Sequence, residues 1–274
     1  RSVATTAGPF SLYGEPVVAA CAKYGTHYAD ITGETSFVKT MVAKHRETAK
    51  FTGARILSLC GNDCVPWDLS YNLLADKFRG ANNGNSNKET LERVEFYNEF
   101  LSSASGGTLK TMCMGLRGGL SKAPDDKILR KIVGSDKEHS EEMSNECKPF
   151  IKSSVRKPWT YDGDDNNNND NASDDDLLVE APFVMSGVNY EAVGWSHALR
   201  RDAKCSYKEM QLVPDYSTAL DGVASLLVFF TALANPLTGR LFENYLLTQP
   251  GEGPGMKEMT DDFFLALTGT AYGS

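Results

Sequence analysis

Four carboxylates stand where an α/β protein often places its chemistry, at the ends of short apolar segments. Asp30 and Glu34 flank the end of one predicted strand, and Asp63 and Asp68 lie on either side of Pro66 after another. Ligands of open parallel sheets bind beyond the carboxyl ends of the strands, so these groups could act as general acids or bases. They could equally be surface carboxylates or helix caps, and for Asp63 and Asp68 a structural role is favoured.

No self-sufficient catalytic motif accompanies these carboxylates. The chain contains no GxGxxG, GxxxxGK[ST], GxSxG or HExxH sequence. The segment Ser105-Gly106-Gly107-Thr108 could bind an anion at a helix N-terminus, but an N-cap turn explains it as well. His27 lies inside a predicted strand, where we expect a packed side chain and not a general base. The residues alone therefore assign no catalytic group.

The six cysteines predict neither a metal centre nor a disulfide framework. They contain no CxxC pair, and only four histidines accompany them. Structural zinc sites need clustered thiolate and imidazole ligands, so no metal site is predicted. The wide scatter of the cysteines favours reduced thiols in an intracellular compartment, with a disulfide as the less favoured alternative.

The acidic charge of the chain is concentrated in one low-complexity segment. The net charge is −8, and residues 162–176 contain seven Asp and no Lys or Arg. Because the remaining chain is nearly neutral, its charge does not favour nucleic acid as a partner. We expect a disordered acidic insert at about 160–178, since this composition cannot bury enough apolar surface to become ordered.

Strands alternate with helices through the first 80 residues. Predicted strands are 2–6, 26–31 and 54–60, and predicted helices are 15–24, 36–51 and 67–78. Pro16 near one helix start, with Gly25 and Gly53 after two helix ends, supplies the expected start and stop signals. Such alternation at short spacing predicts a parallel α/β sheet.

The remainder of the chain predicts a second domain of mixed α+β type. A polar Gly/Asn linker at 80–88 precedes it, and residues 121–160 show little periodicity. Strands are expected at 92–101, 208–213 and 262–269, and helices at about 109–116, at 188–199 and at 219–234. We predict domains at 1–80 and 81–274.

The segment 219–234 is strongly apolar, with Asp221 as its one charged residue. The 13 residues from Gly222 to Ala234 are fewer than the roughly 20 that span a membrane. We therefore expect contact with a membrane surface, a membrane protein complex or another subunit, including a homo-oligomer, and a buried core helix is the alternative. Contact predicts exposed side chains among Leu226, Leu227, Val228, Phe229 and Phe230.

Several stretches of the chain together carry a family resemblance. They are residues 6–18, 21–34 and 53–69, with weaker matches at 105–108, 181–185 and 251–255. In this order they resemble the saccharopine dehydrogenase-like oxidoreductase family, including its trans-acting enoyl reductase branch. The resemblance implies a partial Rossmann-type parallel sheet followed by a mixed α+β domain. It also implies an NAD(P)-dependent oxidoreductase of unknown substrate.

The resemblance also implies where a cofactor would lie. Gly8, Pro9 and Phe10 would line the nicotinamide side of a cleft, with turns containing Gly33 and, further on, Gly61 and Asp63 beside it. The family's Gly-rich phosphate loop is expected to precede residue 1, so this chain is not expected to bind NAD(P) in the usual way. The family usually has an aromatic residue and a Ser in the turn that here reads Gly-Asn-Asp-Cys at 61–64.

A second hypothesis is a non-catalytic accessory or scaffolding subunit docked on a membrane protein complex, including an organellar or photosynthetic one. The absent phosphate loop, the apolar segment 219–234 and the Asp/Asn insert motivate it. The resemblance likewise implies membrane or lipid-droplet association through 219–234. We expect an intracellular, organellar and membrane-associated location, at a mitochondrion, a chloroplast thylakoid or a lipid body.

Overall fold

The computed structural model describes the chain in eight ranges, which are 1–82, 90–101, 106–116, 143–147, 152–156, 177–200, 204–241 and 264–273. They contain a parallel sheet and a second, mixed sheet, each packed with helices. The predicted α/β class is therefore confirmed. The segment 162–176 and most of the predicted linker lie outside the described residues, and the domain boundary near residue 80 stays a prediction.

The first sheet is three-stranded, parallel and ordered as the chain runs. Its strands are β1 (Ser2–Thr5), β2 (His27–Asp30) and β3 (Ile56–Leu57). Helices follow each strand, namely α1 (Phe10–Tyr24), α2 (Thr35–Thr52) and α3 (Val65–Asn82). Val3 pairs with Tyr28, and Tyr28 pairs with Ile56, so the three side chains share one face.

Helices α1 and α2 pack closely on that face. The buried residues of this core include Val18, Tyr28, Phe37 and Met41. Gly14 lies in α1, and a Cβ atom there would approach the Phe37 ring to 2.6 Å. The absence of a side chain at Gly14 therefore sets the distance between the two helices.

Helix α1 begins at Phe10, earlier than the predicted residue 15, and Pro16 lies inside it. The sequence signal was misleading because the first backbone N–H groups of α1 are capped by Glu34, which lies beyond β2. Gly25 and Gly53 end α1 and α2 with φ of 66° and 76°, as predicted. His27 is exposed, which corrects the expected packed side chain, and its Nδ1 accepts a hydrogen bond from the Arg55 N–H at 3.1 Å.

The second sheet has the strand order β6-β7-β8-β4-β9, with β5 also beside β8. Its strands are β4 (Leu91–Leu101), β5 (Ser144–Asn145), β6 (Lys152–Arg156), β7 (Leu177–Pro182), β8 (Ser206–Val213) and β9 (Phe264–Gly273). The strands β4 and β5 run parallel to β8, and the other pairs are antiparallel. The helices are α4 (Gly106–Leu116), α5 (Ser186–Arg200), α6 (Tyr216–Ala234) and α7 (Pro236–Leu241).

Several strands differ from the predictions. Strand β3 has two residues instead of the predicted 54–60, because Leu59 leaves the extended conformation with a φ of 61°. Strands β5 and β6 were not predicted, since short polar segments carry no alternating apolar pattern and pair only through β8 and β7. Strand β9 ends at Gly273 and not at residue 269.

Helix α5 lies between the two cores. Its Val188, Ala192 and Trp195 pack against the core of the parallel sheet. Val193 belongs to the other core, which contains Trp67 from α3 and Phe96 from β4. This helix therefore brings the turn in front of it, residues 183–185, next to the turns of the first sheet.

Candidate functional site

Three turns meet beyond the carboxyl ends of the parallel strands, and we call this place the three-turn site. It consists of residues 30–34, 58–64 and 183–188. The Cys60 N–H donates to the Asp30 carbonyl at 2.8 Å. A Cβ atom on Gly61 would lie 3.2 Å from the Ile31 Cβ, and one on Gly33 would lie 3.9 Å from a Val188 methyl group. The site therefore joins both sheets at the edge where α/β folds bind ligands.

Asp30 joins two of these turns from inside the protein. Its side chain is 1% exposed, so the surface alternative does not apply. Its Oδ1 accepts from the Thr32 N–H at 3.1 Å, and its Oδ2 accepts from the Ser58 hydroxyl at 3.0 Å. Burial raises the pKa of Asp30, while hydrogen bonds from Thr32, Ser58 and the Leu59 backbone act in the opposite direction. Asp30 is thus saturated with donors and has a structural role.

Leu59 has an unusual backbone conformation in the turn that follows β3. Its φ is 61°, in the left-handed region, although its side chain is buried. A non-glycine residue in this region costs about 1–3 kcal/mol and needs support from its surroundings. The hydrogen bond from the Leu59 backbone to Asp30 supplies part of that support. The Leu59 conformation and its contact with Asp30 therefore fix the path of the backbone into the turn 60–64.

Glu34 closes the N-terminus of α1. Its side chain is 3% exposed and accepts from the Phe10 N–H at 2.7 Å and the Ser11 N–H at 2.9 Å. The Ser11 hydroxyl donates to the same carboxylate, and the Thr111 hydroxyl of α4 lies at 3.4 Å. A carboxylate is favourable at the positive end of a helix. The anion position of α1 is therefore occupied by the protein itself.

The residues predicted to line the cofactor cleft have few backbone N–H groups left for a ligand. The Phe10 N–H already donates to Glu34, and the Gly8 N–H donates to the Thr6 carbonyl at 3.1 Å. Pro9 has no N–H to offer. Gly61 has a packing reason for lacking a side chain, because Ile31 fills that space. Gly33 and the turn containing Asp63 lie in the three-turn site, so the structure brings those two predicted positions together.

Asp63 differs from the other three carboxylates of the sequence analysis. It is half-buried, and burial alone raises its pKa. In the part of the chain that the structure describes, no hydrogen bond or ion pair reaches its carboxyl group. Asp68, in the first turn of α3, also has a pKa raised by burial, but Ser196 and the Arg200 charge from α5 lower it. Asp68 thus interacts with two groups of α5, although its Oδ1 is buried without a hydrogen-bond partner, and the half-buried Asp63 is left available.

The thiols of this turn are poor nucleophiles. Burial raises the pKa of Cys64 to about 12, and the neighbouring Asp63 and Asp68 charges add to the effect. Burial and then the Asp30 charge raise the pKa of the exposed Cys60. The thiolate is the reactive form of cysteine, so neither residue is activated at neutral pH.

The structure also contains a buried polar cluster around Glu209 that the sequence analysis missed. Glu209 of β8 is 0% exposed, and its Oε1 accepts from Asn98 Nδ2 at 2.9 Å and Asn189 Nδ2 at 3.0 Å. Its Oε2 accepts from the Tyr207 hydroxyl at 2.7 Å. Trp67 Nε1 donates to Asn98 Oδ1 at 3.0 Å. The cluster therefore connects α3, α5, β4 and β8.

Two opposing effects act on the Glu209 carboxyl. Burial raises its pKa to about 7, and the three donors lower it. A sequence signal for this cluster did exist, because Asn98 and Glu209 occupy the inward positions of strands that otherwise carry Phe96 and Tyr207 there. A polar residue at a position of a strand where apolar side chains are expected indicates a buried polar contact.

Among the described residues, no group of three or more His, Cys, Asp or Glu side chains could bind a metal ion.

Comparison with known proteins identifies relatives that are oxidoreductases by name. The chain is 37% identical over 260 residues to a protein named trans-acting enoyl reductase of Mycobacterium bovis, covering 93% of this chain and 60% of that relative. A protein of the same name from Mycobacterium ulcerans is 38% identical over 115 residues, covering 42% and 27%. One from Mycobacterium leprae is 53% identical over 68 residues, covering 25% and 16%.

These similarities support an oxidoreductase family. The chain matches at most 60% of the length of these three relatives. No protein-family model matches the chain, and no solved structure matches it either.

Proposed function

We propose that this chain is part of a saccharopine dehydrogenase-like, NAD(P)-dependent oxidoreductase that reduces an enoyl substrate. The observation that carries the proposal is the 37% identity over 93% of the chain to proteins named trans-acting enoyl reductase. The position of the three-turn site at the carboxyl edge of a parallel sheet supports it. The substrate class is a carbon–carbon double bond conjugated to a carbonyl group, and its acyl chain is left open.

The residues present fit one end of a nicotinamide dinucleotide. Gly33 is exposed, and the nearest atoms to a Cβ placed there, from Val188 and Met185, lie 3.9 Å and 4.0 Å away, so a flat nicotinamide ring can approach the backbone of this turn. The phosphate end does not fit at α1, since Glu34 occupies the N–H groups of Phe10 and Ser11. The phosphates are therefore expected to bind away from that helix.

When bound, the reduced nicotinamide supplies a hydride, and the protein supplies orientation, exclusion of water and a proton. The turns 30–34 and 58–64 would face the ring, with Gly33 as the position where a ligand meets the least side-chain bulk. Asp30 and Glu34 would fix the shape of these turns, because their carboxyl groups are fully engaged with protein donors.

The proposal is tested with the full-length protein, reduced nicotinamide dinucleotides and a 2-enoyl thioester of N-acetylcysteamine. We expect oxidation of the nicotinamide that depends on the enoyl thioester and yields the saturated product. The matched saturated thioester serves as the control and should cause no oxidation. Failure of every straight-chain 2-enoyl thioester tested from four to sixteen carbons would contradict the enoyl assignment.

A second candidate function is that of an accessory subunit docked on an intracellular membrane. Helix α6 is long and apolar enough to cross a membrane by length and composition. Leu227 and Val228 are each 67% exposed, and Leu226, Phe229 and Phe230 are half-buried. Ala219 and Leu233 are buried near the two ends of the helix. This exposure favours contact with a membrane or a partner over a buried core helix, and the membrane, the compartment and any homo-oligomer are proposals.

Membrane docking is tested by fractionating cells that express the full-length protein. We expect the protein in the membrane fraction after a salt wash, and we expect L227E/V228E to move it to the soluble fraction. Leu199→Glu is the matched control, because Leu199 is 69% exposed on α5, away from α6. A wild-type protein found wholly in the soluble fraction would refute docking.

A further inference from the structure

The three-turn site contains one acid that the fold does not use. The carboxyl groups of Asp30 and Glu34 are saturated with protein donors, and Asp68 is engaged by α5. Asp63 has no such partner among the described residues, yet it is half-buried at the ligand-binding edge of the sheet. A partly desolvated carboxyl group without a structural partner, placed in such a turn, is a candidate for proton transfer.

We propose that Asp63 is the proton donor of the reduction and that Asp30 positions it through the left-handed backbone of Leu59. The inference rests on the proposed function and deepens it. The β-carbon of the enoyl substrate receives a hydride, with its electron pair, from the reduced nicotinamide. The Asp63 carboxylic acid then gives its proton to the α-carbon, which completes the saturated product. Asp63 is left as a carboxylate and recovers a proton from water.

Exposure and charge are compatible with this role. The side chain of Asp63 is only half-buried, so water can return the proton after each turnover. The raised pKa keeps more of the acid form than an ordinary aspartate has at the same pH. The titratable groups on the elements around the turn are Asp30, Glu34, Cys60, Cys64, Asp68 and Glu209. Burial alone, and none of these groups, raises the pKa of Asp63.

The other acids near the site are less suited to proton transfer. Asp30 is 1% exposed and cannot meet a substrate without breaking the contacts that shape the turns. Glu209 is fully buried in the second core behind Asn98 and Asn189. Cys64 is buried and Cys60 is not activated, as their raised pKa values show.

The position of Asp63 depends on the turn that carries it. Leu59 redirects the chain out of β3, and Asp30 accepts the hydrogen bond from the Leu59 backbone. The Cys60 N–H donates to the Asp30 carbonyl, so both sides of Leu59 are fixed to the same residue. Asp30 is therefore a positioning residue, and a change there should misplace Asp63 without altering which group titrates.

The test uses the full-length protein with NADPH or NADH and a 2-enoyl thioester of N-acetylcysteamine. For Asp63→Asn we expect a fall in kcat of about 10²- to 10⁴-fold near neutral pH. The wild-type rate should decrease as the pH rises through the pKa of Asp63, and this decrease, the alkaline limb of the pH profile, should be absent from the profile of the variant. Asp63→Glu should restore part of the rate together with the alkaline limb. Asp221→Asn, the same substitution at an exposed position of α6 outside the three-turn site, is the matched control and should leave both unchanged.

Two readouts separate this inference from the proposed function. Binding of the reduced nicotinamide, followed by its fluorescence, should change less than about threefold in Asp63→Asn, because a proton donor acts in the chemical step. An infrared carboxyl band that titrates in the wild type and is missing in Asp63→Asn should report the acid directly. Weaker cofactor binding with an unchanged pH profile would overturn the proton role and leave the oxidoreductase intact. Absence of cofactor binding by the wild type would overturn both.

Discussion

The Glu34 carboxylate accepts the N–H of Phe10 at 2.7 Å, across 24 positions of the sequence. This contact starts α1, fixes the turn after β2 and fills the place where a helix would otherwise bind an anion. The relationship explains why α1 begins earlier than its sequence predicts. It also leaves the N–H groups of Phe10 and Ser11 unavailable to a phosphate.

Removal of the Glu34 carboxylate should destabilise the protein strongly. Glu34→Ala leaves the N–H groups of Phe10 and Ser11 without their partner, and we expect a loss of about 2–4 kcal/mol in the free energy of unfolding. Glu34→Gln keeps an acceptor and should lose about half as much. Urea denaturation measures both, with Ser11→Ala as a control that removes one hydroxyl donor. A loss below about 0.5 kcal/mol in Glu34→Ala would contradict the capping role.

Gly14 in α1 should not tolerate a side chain, whereas Gly80 in α3 should tolerate one. A Cβ atom on Gly14 would lie 2.6 Å from the Phe37 ring, so Gly14→Ala should cost about 1–3 kcal/mol through overpacking. Gly80 of α3 has nothing within 4 Å of that position, and Gly80→Ala should stabilise by up to about 1 kcal/mol. Thermal unfolding of the two variants compares them, and equal effects would refute the close packing of α1 on α2.

The Glu209 cluster should make stability depend on pH near neutrality. Its pKa of about 7 lies above the ordinary value of 4.5, so folding favours the protonated form. The contribution of the Glu209 pKa shift to the free energy of unfolding is therefore fully present below about pH 4.5. It is lost as the pH rises through about 7, and the total loss is up to about 3 kcal/mol. Glu209→Gln cannot ionise, so the free energy of unfolding of the wild type relative to this variant should fall between pH 5 and pH 8. A difference that stays constant, or rises with pH, would show that Glu209 is ionised throughout.

Asp30 and Leu59 should act as one unit in positioning the turn. Asp30→Asn should lower kcat about tenfold or more, because the turn 60–64 loses its support, while the pH limb assigned to Asp63 should remain. Leu59→Gly adopts a φ of 61° without strain, so the loss in Asp30→Asn should be smaller in the Leu59→Gly background. A double-mutant cycle on kcat measures this coupling. Strict additivity would mean that Asp30 does not act through Leu59.

Local patterns in the sequence predicted most of the elements. The alternation of strands and helices gave the parallel sheet, and Gly25 and Gly53 marked helix ends correctly. The start of α1 could not be predicted, because its cap comes from Glu34 in another turn. Strands β5 and β6 have no apolar alternation and depend on pairing with distant strands.

The sequence indicated where the candidate residues lie but not their contacts, and their role in ligand binding stays a prediction. Asp30, Glu34 and Asp63 follow predicted strands, and in the structure they lie at or after the carboxyl ends of β2 and β3. Which of these carboxylates is saturated and which is available depends on donors from Ser58, Ser11 and the local backbone, and no spacing rule encodes such donors. The Glu209 cluster was missed because its members lie far apart in the sequence.

The most direct test of the account is a titration of the full-length protein with NADPH and with NADH, followed by nicotinamide fluorescence. We predict saturable binding of at least one of them, and adenosine diphosphate ribose, which lacks the nicotinamide ring, should not displace the bound dinucleotide at a comparable concentration. Asp63→Asn should bind the same dinucleotide within about threefold of the wild type. No detectable binding of either dinucleotide at millimolar concentration would contradict the oxidoreductase assignment.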